Sequence, residues 1–438
     1  MASPPLLPPS PLPMDPPPVW GLPRELSMEI AQYVRCSGDL AAMVEELGVN
    51  FLPPRRRRAT QPPLLVLPDR SVPDAAPSAP RDPTFVCFCC GGRQGREHHP
   101  RVRADASHGR MFGAYGGWMM MACGQASGHA IVNLYTRTRL LLPDSLVLDS
   151  DASTSREPHL IVMLAATLSA GPLSADVDCF AAAIVHVDGC GSLGFGNTAV
   201  FALWVLDEAA RHQRPVAQGF RVNLPAMEGG VVLEDVSYTN GAFHFLTSNE
   251  DVLVVRVEKD GQLLLPRQEL IQHTREQEAQ VLKQLHWDDD EEEEVSRYLL
   301  VSRGGLLMVL RRRVVHARGR SFQFSLYCEV EEVGPDAHDP ARRWLEIPDE
   351  ILPERVVYLA RGCSKVVEIK DLPSGLNLKA AMYYIDDSDA GNLGIITAEA
   401  DARRYRCHDN GKVRPGGYMP LCMDLAPSNS SPPMWFFP

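Results

Sequence analysis

The chain has 438 residues, about three times the usual length of one domain, which excludes a small single domain and favours two domains or one large repeat architecture such as a propeller. Its net charge is −12, and the acidic run Asp288–Glu294 supplies seven of the negative charges, so the rest of the chain is only at −5 and has no basic excess for nucleic-acid binding. With 45% apolar and 22% charged residues, the composition is typical of a globular protein with a sizeable core.

Proline dominates the start of the chain, where it occupies nine of the first 18 positions. Residues 1–18 also lack a basic leader, which argues against a signal peptide or a transit helix and predicts a disordered, polyproline-like tail. The longest apolar run, near Leu160–Leu168, is too short to cross a bilayer. The 11 cysteines form no disulfide framework, so we expect reduced thiols in an intracellular protein of the nucleus or cytoplasm.

Residues 19–50 predict two short helices. The first lies within Trp20–Val34, where apolar residues recur every four positions and a proline occupies the first turn. Asp39 is placed to cap the second helix. The apolar residues of the two helices are Leu22, Leu26, Ile30, Val34, Leu40, Met43 and Leu47.

Residues 51–83 return to proline and arginine and are interpreted as a linker. Within them, Leu64–Pro68 could form a first strand. The four arginines Arg55–Arg58 fit either a solvated linker or a localisation or phosphate-binding patch.

Residues 84–438 show short strands separated by turns and predict a mainly β domain. The clearest hairpin has its turn at Asn240-Gly241, between two runs that contain aromatic residues. A strand spacing near ten residues is typical of a propeller, a sandwich or a barrel, and about 300 residues of it favour a propeller. The number of blades stays open. The other predicted strand segments are Ala181–Val187, Asp251–Val257, Gln262–Leu265, Arg297–Val315, Phe322–Val333, Val356–Ala360, Ala381–Ile385 and Gly394–Glu399.

One segment departs from this β pattern. Gln268–Trp287 predicts a helix that leads into the acidic run, so we interpret residues 268–295 as a helical and acidic insertion between blades. The run itself is either a solvated loop or a site for a basic partner.

A glycine string and a group of cysteines and histidines are the main candidates for chemistry. Gly189–Gly194 fits the dinucleotide pattern G-x-G-x-x-G, with Asp207 about twenty residues on, but the following Thr198–Leu206 predicts a strand where the pyrophosphate needs a helix N-terminus. We therefore interpret the string as a hairpin turn.

The possible zinc ligands do not have the C-x2-C spacing of common structural sites, and buried thiols with loop histidines are the favoured interpretation. Asp386–Asp389 resembles a calcium loop in composition but lacks the closing glutamate. We expect a non-catalytic protein without a metal or cofactor. The possible zinc ligands are Cys87, Cys89, Cys90, His98, His99 and His108.

Several segments, taken in order, resemble a known family. Trp20–Ile30 followed by Asp39–Met43 resembles the first half of an F-box, and the β half resembles the KIB-type propeller that follows the F-box in a large plant family. The matching propeller segments are Phe112–Trp118, Val132–Leu134, Leu142–Pro143, Glu234–Val236, Asn240–Gly241, Arg297–Leu299, Ser302–Gly304, Leu307–Val309, Val357–Leu359, Arg361–Ser364, Tyr384–Asp387 and Trp435–Phe436.

The resemblance implies a substrate-receptor subunit of an SCF-type E3 ubiquitin ligase. The F-box would dock on a Skp1-like adaptor, and through it on a cullin, while the propeller binds a target protein. An apolar helical stripe on a small module is a suitable surface for such a partner. The residues that the resemblance places at the adaptor or in the F-box core are Leu22, Pro23, Leu26, Ile30, Leu40 and Met43.

The chain departs from the family pattern after the second helix. The family's F-box continues with a Cys-Arg-x-Trp third helix, whereas Val44–Pro54 contains no tryptophan. Two alternatives remain open: a partial F-box that still docks on an adaptor, or a protein-interaction propeller whose degenerate F-box has no link to a ligase.

Overall fold

The computed structural model describes Leu26, Cys36 and most of the β half of the chain. The described ranges are 63–67, 84–87, 96–98, 110–123, 128–133, 136, 138–148, 158–172, 178–187, 200–207, 215, 217–222, 232–260, 263–274, 293–316, 319–332, 341–347, 354–371, 381–385, 413–415, 431 and 433–437.

The strands within these ranges form six sheets, which confirms the prediction of a mainly β protein. The first sheet contains β1 (Leu64–Leu67), β2 (Thr84–Cys87), β3 (Arg96–His98) and β26 (Met434–Phe436). The second contains β4 (Met111–Tyr115), β5 (Trp118–Ala122), β6 (His129–Asn133) and β7 (Arg139–Leu142). The third contains β8 (Ser145–Leu148), β9 (His159–Leu168), β10 (Phe180–Val187), β11 (Val200–Val205) and β12 (Ala217–Arg221).

The other three sheets follow in the same order along the chain. The fourth contains β13 (Leu233–Thr239), β14 (Ala242–Thr247), β15 (Val252–Asp260) and β16 (Leu263–Ile271). The fifth contains β17 (His273–Thr274), β18 (Glu293–Ser302), β19 (Gly305–His316), β20 (Gly319–Glu332) and β21 (Ala341–Glu346). The sixth contains β22 (Arg355–Leu359), β23 (Lys365–Glu368), β24 (Ala381–Ile385) and β25 (Val413–Pro415), with a 3-10 turn at Ile369–Asp371.

The six sheets contact one another in a ring. β4 contacts β9, β9 contacts β13, β13 contacts β18 and β18 contacts β23. The sixth sheet meets the first where the indole N–H of Trp435 donates to the carbonyl oxygen of Leu359 (3.2 Å). The first sheet meets the second where the N–H of Gly117 donates to the carbonyl oxygen of Phe437 (3.1 Å). The strand pairs are antiparallel except for β8–β12, β17–β21 and β22–β24, which are parallel. This arrangement of successive sheets in a ring is that of a β-propeller.

The first sheet closes this ring by joining two distant parts of the chain. The C-terminal strand β26 pairs with β1, with Leu64 opposite Phe436 and Val66 opposite Met434. β1 pairs on its other side with β2. All four residues of β1 are buried, and they belong to one apolar cluster.

The hairpins predicted from the sequence are confirmed. Asn240 and Gly241 join β13 to β14 with φ angles of 49° and 74°, as a two-residue turn between twisted strands requires. The predicted strand segments Asp251–Val257 and Gln262–Leu265 correspond to β15 and β16, which pair as a hairpin. The predicted segment Arg297–Val315 corresponds to the hairpin of β18 and β19. Gly394–Glu399 lies outside the described residues.

Two predicted boundaries need correction. Residues 268–271 belong to β16 and residues 273–274 form β17, so the insertion does not begin with a helix at residue 268, and its predicted end at 295 lies inside β18. The first strand that was predicted as possible at Leu64–Pro68 is confirmed as β1, so the propeller begins before residue 84. Residues 275–292, including most of the acidic run, lie outside the described ranges.

In the part of the chain that the structure describes, no helix is long and apolar enough to cross a membrane.

Candidate protein-interaction surface

Two exposed turns of neighbouring sheets are tied to each other. The turn between β13 and β14 contains Asn240, and the turn between β18 and β19 contains Arg303 and Gly304, with φ angles of 51° and 81°. The side-chain amide of Asn240 donates to the carbonyl oxygen of Gly304 (3.0 Å). The fourth and fifth sheets therefore present their turns at a fixed separation.

An ion-pair network extends this surface to the sixth sheet. Arg303 donates through Nε and Nη2 to the two carboxylate oxygens of Glu368 (3.1 and 2.9 Å), and Arg355 Nε donates to Glu368 Oε1 (3.1 Å). The hydrogen bonds from Arg303 hold the pKa of Glu368 below its usual value. The side chain of Arg303 is 61% exposed, so the pair contributes little to stability. Its main effect is to orient the guanidinium group.

Two half-buried tyrosines lie beside the turns. Tyr238 precedes Asn240 on β13 and packs against Phe243, with 4.8 Å between ring centroids. Burial raises the pKa of Tyr238, and so do the neighbouring Tyr115 and Cys179. Tyrosine and arginine are enriched at the centres of protein interfaces. Tyr115 is the last residue of β4, and Gly116 follows it in the turn to β5, where it is exposed. We call Tyr115, Gly116, Tyr238, Asn240, Gly241, Arg303 and Gly304 the turn surface.

Asp235 is a buried carboxylate at which three sheets meet. It lies on β13 and is 1% exposed. Its Oδ1 accepts hydrogen bonds from the backbone N–H groups of Val236 (2.9 Å) and Gly362 (2.8 Å), and its Oδ2 accepts one from the N–H of Leu299 (2.8 Å). Leu299 lies on β18, and Gly362 lies in the turn after β22. One side chain thus joins the fourth, fifth and sixth sheets.

The turn that carries Gly362 is packed against the backbone of two further sheets. Its φ angle is +69°, and a Cβ atom at Gly362 would overlap the carbonyl oxygen of Phe112 on β4 and lie 3.0 Å from the backbone nitrogen of Ala166 on β9. A Cβ atom at Gly113 would likewise overlap the carbonyl oxygen of Ala166. Only glycine fits both the dihedral angle and the space at position 362. Because its N–H also donates to Asp235, this turn of the sixth sheet contacts the second, third and fourth sheets.

A partly buried charge network runs beside Asp235 between the fourth and fifth sheets. Arg297 Nη1 donates to Glu234 Oε1 (3.0 Å), and its Nε donates to Glu250 Oε1 (3.1 Å). The indole N–H of Trp344 donates to the carbonyl oxygen of Glu250 (2.8 Å). The Arg297 side chain is only 16% exposed, so this network, unlike the Arg303 pair, helps to fix the two sheets in one register.

Asp235 also predicts a pH dependence of stability. Burial raises its pKa to about 7, while the three amide donors and Arg361 act in the opposite direction. Since the ordinary value is 3.8, the folded protein holds a proton between these pH values that the unfolded chain has released. The stability that Asp235 contributes is therefore fully present below pH 3.8 and is lost as the pH rises through 7.

Urea unfolding of the wild type and of Asp235→Asn, at about pH 5 and about pH 8, measures this effect. We expect the wild type to lose stability relative to the variant, which does not titrate, between the lower and the higher pH. If the difference in unfolding free energy between the two proteins were the same at both pH values, the raised pKa of Asp235 would be contradicted.

The structure describes one of the six residues that the sequence assigned to the adaptor. Leu26 is helical and 44% exposed. The tail, residues 1–18, and Arg55–Arg58 lie outside the described residues, as do the other five assigned positions. Those five are Leu22, Pro23, Ile30, Leu40 and Met43.

The residues proposed for chemistry are only partly described. Cys87 is buried in β2, and His98 lies in β3. Among the described residues no group of three or more histidine, cysteine, aspartate or glutamate side chains could hold a metal. The residues after the glycine string form the strand β11, as predicted. The positions outside the described residues are Cys89, Cys90, His99, His108, Gly189–Gly194 and Asp386–Asp389.

Sequence reasoning did not identify Asp235, Gly362 or Arg297 as special. Their partners are far away along the chain, since Leu299 and Gly362 are 64 and 127 residues from Asp235. One signal in the sequence could have identified these residues. Each lies in a segment that carries the family resemblance, namely Glu234–Val236, Arg297–Leu299 or Arg361–Ser364.

Comparison with known proteins identifies the family of the propeller. A family model described as the KIB1-4 beta-propeller matches residues 93–406, well over half of the chain and most of the six sheets. No curated protein matches the chain. A β-propeller of this kind is a protein-interaction fold and is commonly non-catalytic. The chain belongs to the KIB1-4 beta-propeller family.

Proposed function

We propose that this protein is the substrate-recognition subunit of an SCF-type E3 ubiquitin ligase. Residues 19–50 dock on a Skp1-like adaptor, which links the protein to a cullin, and the propeller binds the protein that is to be ubiquitinated. The protein itself catalyses no reaction. It works in the nucleus or cytoplasm, where the ligase is found.

The observation that carries the adaptor half of this proposal is the state of Leu26. Leu26 lies on a helix, and its side chain is available to a partner because the residue is 44% exposed. An amphipathic helix binds in a partner's groove through apolar side chains that are three or four residues apart. The family resemblance places Leu26 among the adaptor-facing or F-box core residues. Leu22 and Ile30 lie four residues before and after Leu26 in the sequence.

The turn surface supports the target-binding half. The turns at Asn240 and Arg303 have fixed positions, because Asn240 is hydrogen-bonded to Gly304 and Arg303 is hydrogen-bonded to Glu368. A surface that is already ordered binds a partner with a smaller loss of conformational entropy. Tyr115, Tyr238 and Arg303 supply the residue types on which interface affinity most often depends.

Copurification with a Skp1-like adaptor tests the proposal at Leu26. We expect Leu26→Asp to abolish capture of the adaptor by the full-length chain, because a carboxylate cannot be buried in an apolar interface without a large desolvation cost. Leu345→Asp is the matched control, since Leu345 on β21 is 49% exposed and lies outside the F-box-like segment. This variant should capture the adaptor as well as the wild type does.

Two results would count against the ligase. Equal capture by Leu26→Asp and the wild type would remove Leu26 from the interface. No capture by the wild type would favour the second candidate, a protein-interaction propeller with a degenerate F-box. The specific observation in favour of that candidate is the absence of tryptophan from Val44–Pro54, where the family has its third helix.

A further inference from the structure

The strand β20 is paired only in part on its outer side. On the inner side it pairs with β19 from Gly319 to Cys328. On the outer side β21 pairs only with Tyr327–Glu332, and one more hydrogen bond runs from the N–H of Ile347 to the carbonyl oxygen of Leu326 (2.7 Å). In the part of the chain that the structure describes, no strand pairs with the outer side of Gly319–Ser325. We call this segment the open edge.

The hydrogen bond at Leu326 shows which backbone groups face outward along the open edge. The N–H and C=O groups of one strand residue point to the same side, and that side alternates from residue to residue. The carbonyl oxygen of Leu326 accepts from Ile347 and so points outward, away from β19. Every second residue before Leu326 therefore offers a donor and an acceptor to an added strand. These residues are Arg320, Phe322 and Phe324.

The surroundings of the open edge are basic. Residues 295–328 contain seven arginines and no aspartate or glutamate, in a chain whose net charge is −12. Five of the seven lie in residues 311–320, where β19 ends and β20 begins. One of these five, Arg311, is buried. Two carboxylates, Glu293 and Glu294, pair with this part of β19 from β18, on the far side from the open edge, so the positive charge is in excess.

This charge decides which extended chain suits the open edge. Unpaired backbone at a sheet edge is a template for pairing with another chain. A second copy of the protein would bring its own arginines against these, and like charges across a strand pair are unfavourable. A segment rich in aspartate or glutamate has the opposite charge and is attracted by the same arginines.

We propose that the open edge binds an extended, acidic segment of a partner protein, which adds a strand to the fifth sheet. Main-chain hydrogen bonds along the open edge supply affinity, and the arginines select an acidic sequence. The site goes beyond the proposed function, because it needs neither the adaptor nor the turn surface. Arg303 and Gly304 of the turn surface precede the other end of β19, whose 12 residues span about 40 Å.

Titration of the full-length protein with a fluorescently labelled peptide tests the proposal. The probe is a peptide of about ten residues in which glutamate and valine alternate, and the control peptide has lysine in place of glutamate. We expect the glutamate peptide to bind with a dissociation constant of about 100 μM or tighter, and more weakly at about 0.5 M salt, which screens the charges. The lysine peptide should not bind. Equal binding of both peptides, or of neither, would overturn the proposal.

Two substitutions at Phe322 separate strand addition from simple charge attraction. Phe322→Pro removes an N–H group that points away from β19, so the pairing with β19 is kept, but an added strand loses a donor. Phe322→Ala removes the same ring and keeps the N–H. We expect the proline variant to bind the glutamate peptide at least about tenfold more weakly than the alanine variant. Equal binding by two variants with the same urea midpoint would show that no strand is added.

Hydrogen exchange of the wild type tests the same site without a substitution. At a peptide concentration about ten times the dissociation constant, exchange at the outward N–H groups of Phe322 and Phe324 should slow about tenfold. The N–H groups of Ser321 and Gln323 point toward β19 and should slow less. Mass spectrometry with electron-transfer fragmentation separates these neighbours. Unchanged exchange at Phe322 and Phe324 would overturn the proposal, and this result decides if Phe322→Pro does not fold.

Two other occupants of the open edge would also overturn the proposal. Dimers of the free protein, seen by analytical ultracentrifugation and lost in Phe322→Pro, would assign the edge to a second copy. Binding of the glutamate peptide only after Asp288–Glu292 are changed to the matching amides would assign it to the chain's own acidic run. Adaptor capture is a separate measurement, so its failure would contradict the ligase and leave the open edge unaffected.

Discussion

Replacement of Asp235 by alanine is expected to lower the free energy of unfolding by about 4 kcal/mol or more. The backbone N–H groups of Val236, Leu299 and Gly362 would lose their acceptor inside the protein, and each buried amide left without a partner costs about 1–3 kcal/mol. The loss is large because the three donors belong to three sheets, so no single local shift can satisfy them again. Urea unfolding monitored by tryptophan fluorescence measures it.

Two further variants show whether the hydrogen bonds are the cause. Asp235→Asn keeps the shape of the side chain but turns an amide NH₂ toward at least one of the three donors, so we expect it to be destabilised as well. Asp207→Ala removes a carboxylate that is 42% exposed and lies 3.5 Å from Lys259, and it should change stability by no more than about 0.5 kcal/mol. Equal effects of Asp235→Ala and Asp207→Ala would show that Asp235 does not join the sheets.

Replacement of Gly362 by alanine is expected to cost about 3–5 kcal/mol, since it combines backbone strain at positive φ with overlap in a packed interior. The added methyl group would overlap the carbonyl oxygen of Phe112 and crowd the backbone of Ala166. Both obstacles are main-chain atoms of strands in other sheets, which cannot rotate away as a side chain can. The same substitution also shifts the turn that donates to Asp235.

Gly241→Ala is the matched control for this prediction. Gly241 has a similar φ of +74°, but a Cβ atom there would meet nothing within 4 Å. The control therefore carries the strain without the overlap and should cost only about 1–2 kcal/mol. If the two alanine variants had the same unfolding free energy, the close packing at Gly362 would be refuted.

The local features of the fold could be predicted from the sequence because they depend on neighbouring residues. Asn240-Gly241 identifies a hairpin, since these two residues tolerate the positive φ angles that its turn requires. The predicted helix from Gln268 was wrong at its start for the opposite reason. Glutamine, glutamate and leucine favour a helix, but pairing of β16 with β15 from Leu263 to Ile271 overrides this preference.

The long-range features could not be predicted in the same way. The pairing of β26 with β1 brings together residues more than 350 positions apart, and no local pattern encodes such a partner. The contacts of Asp235 are of the same kind. For the candidate site, the sequence identified the turn at Asn240, whereas the hydrogen bonds that position the turns required the structure.

The buried networks and the exposed turns lie in separate parts of this propeller. The Asp235 network is buried, the Arg297 network is partly buried, and both hold the sheets together. On the turn surface, Asn240 and Arg303 are exposed, and the ion pair of Arg303 contributes little to stability. Changes on the turn surface, such as a different residue at position 303, should therefore alter partner choice with little effect on folding.

The affinity of the unmodified full-length chain for a purified Skp1-like adaptor tests the central claim most directly. Isothermal titration calorimetry gives both the stoichiometry and the dissociation constant. A receptor subunit should form a one-to-one complex with a dissociation constant of about 1 μM or tighter, which corresponds to about −8 kcal/mol. The absence of binding at about 100 μM adaptor, where an interaction worth about −5 kcal/mol would still be seen, would contradict a role as the receptor of an SCF-type ligase.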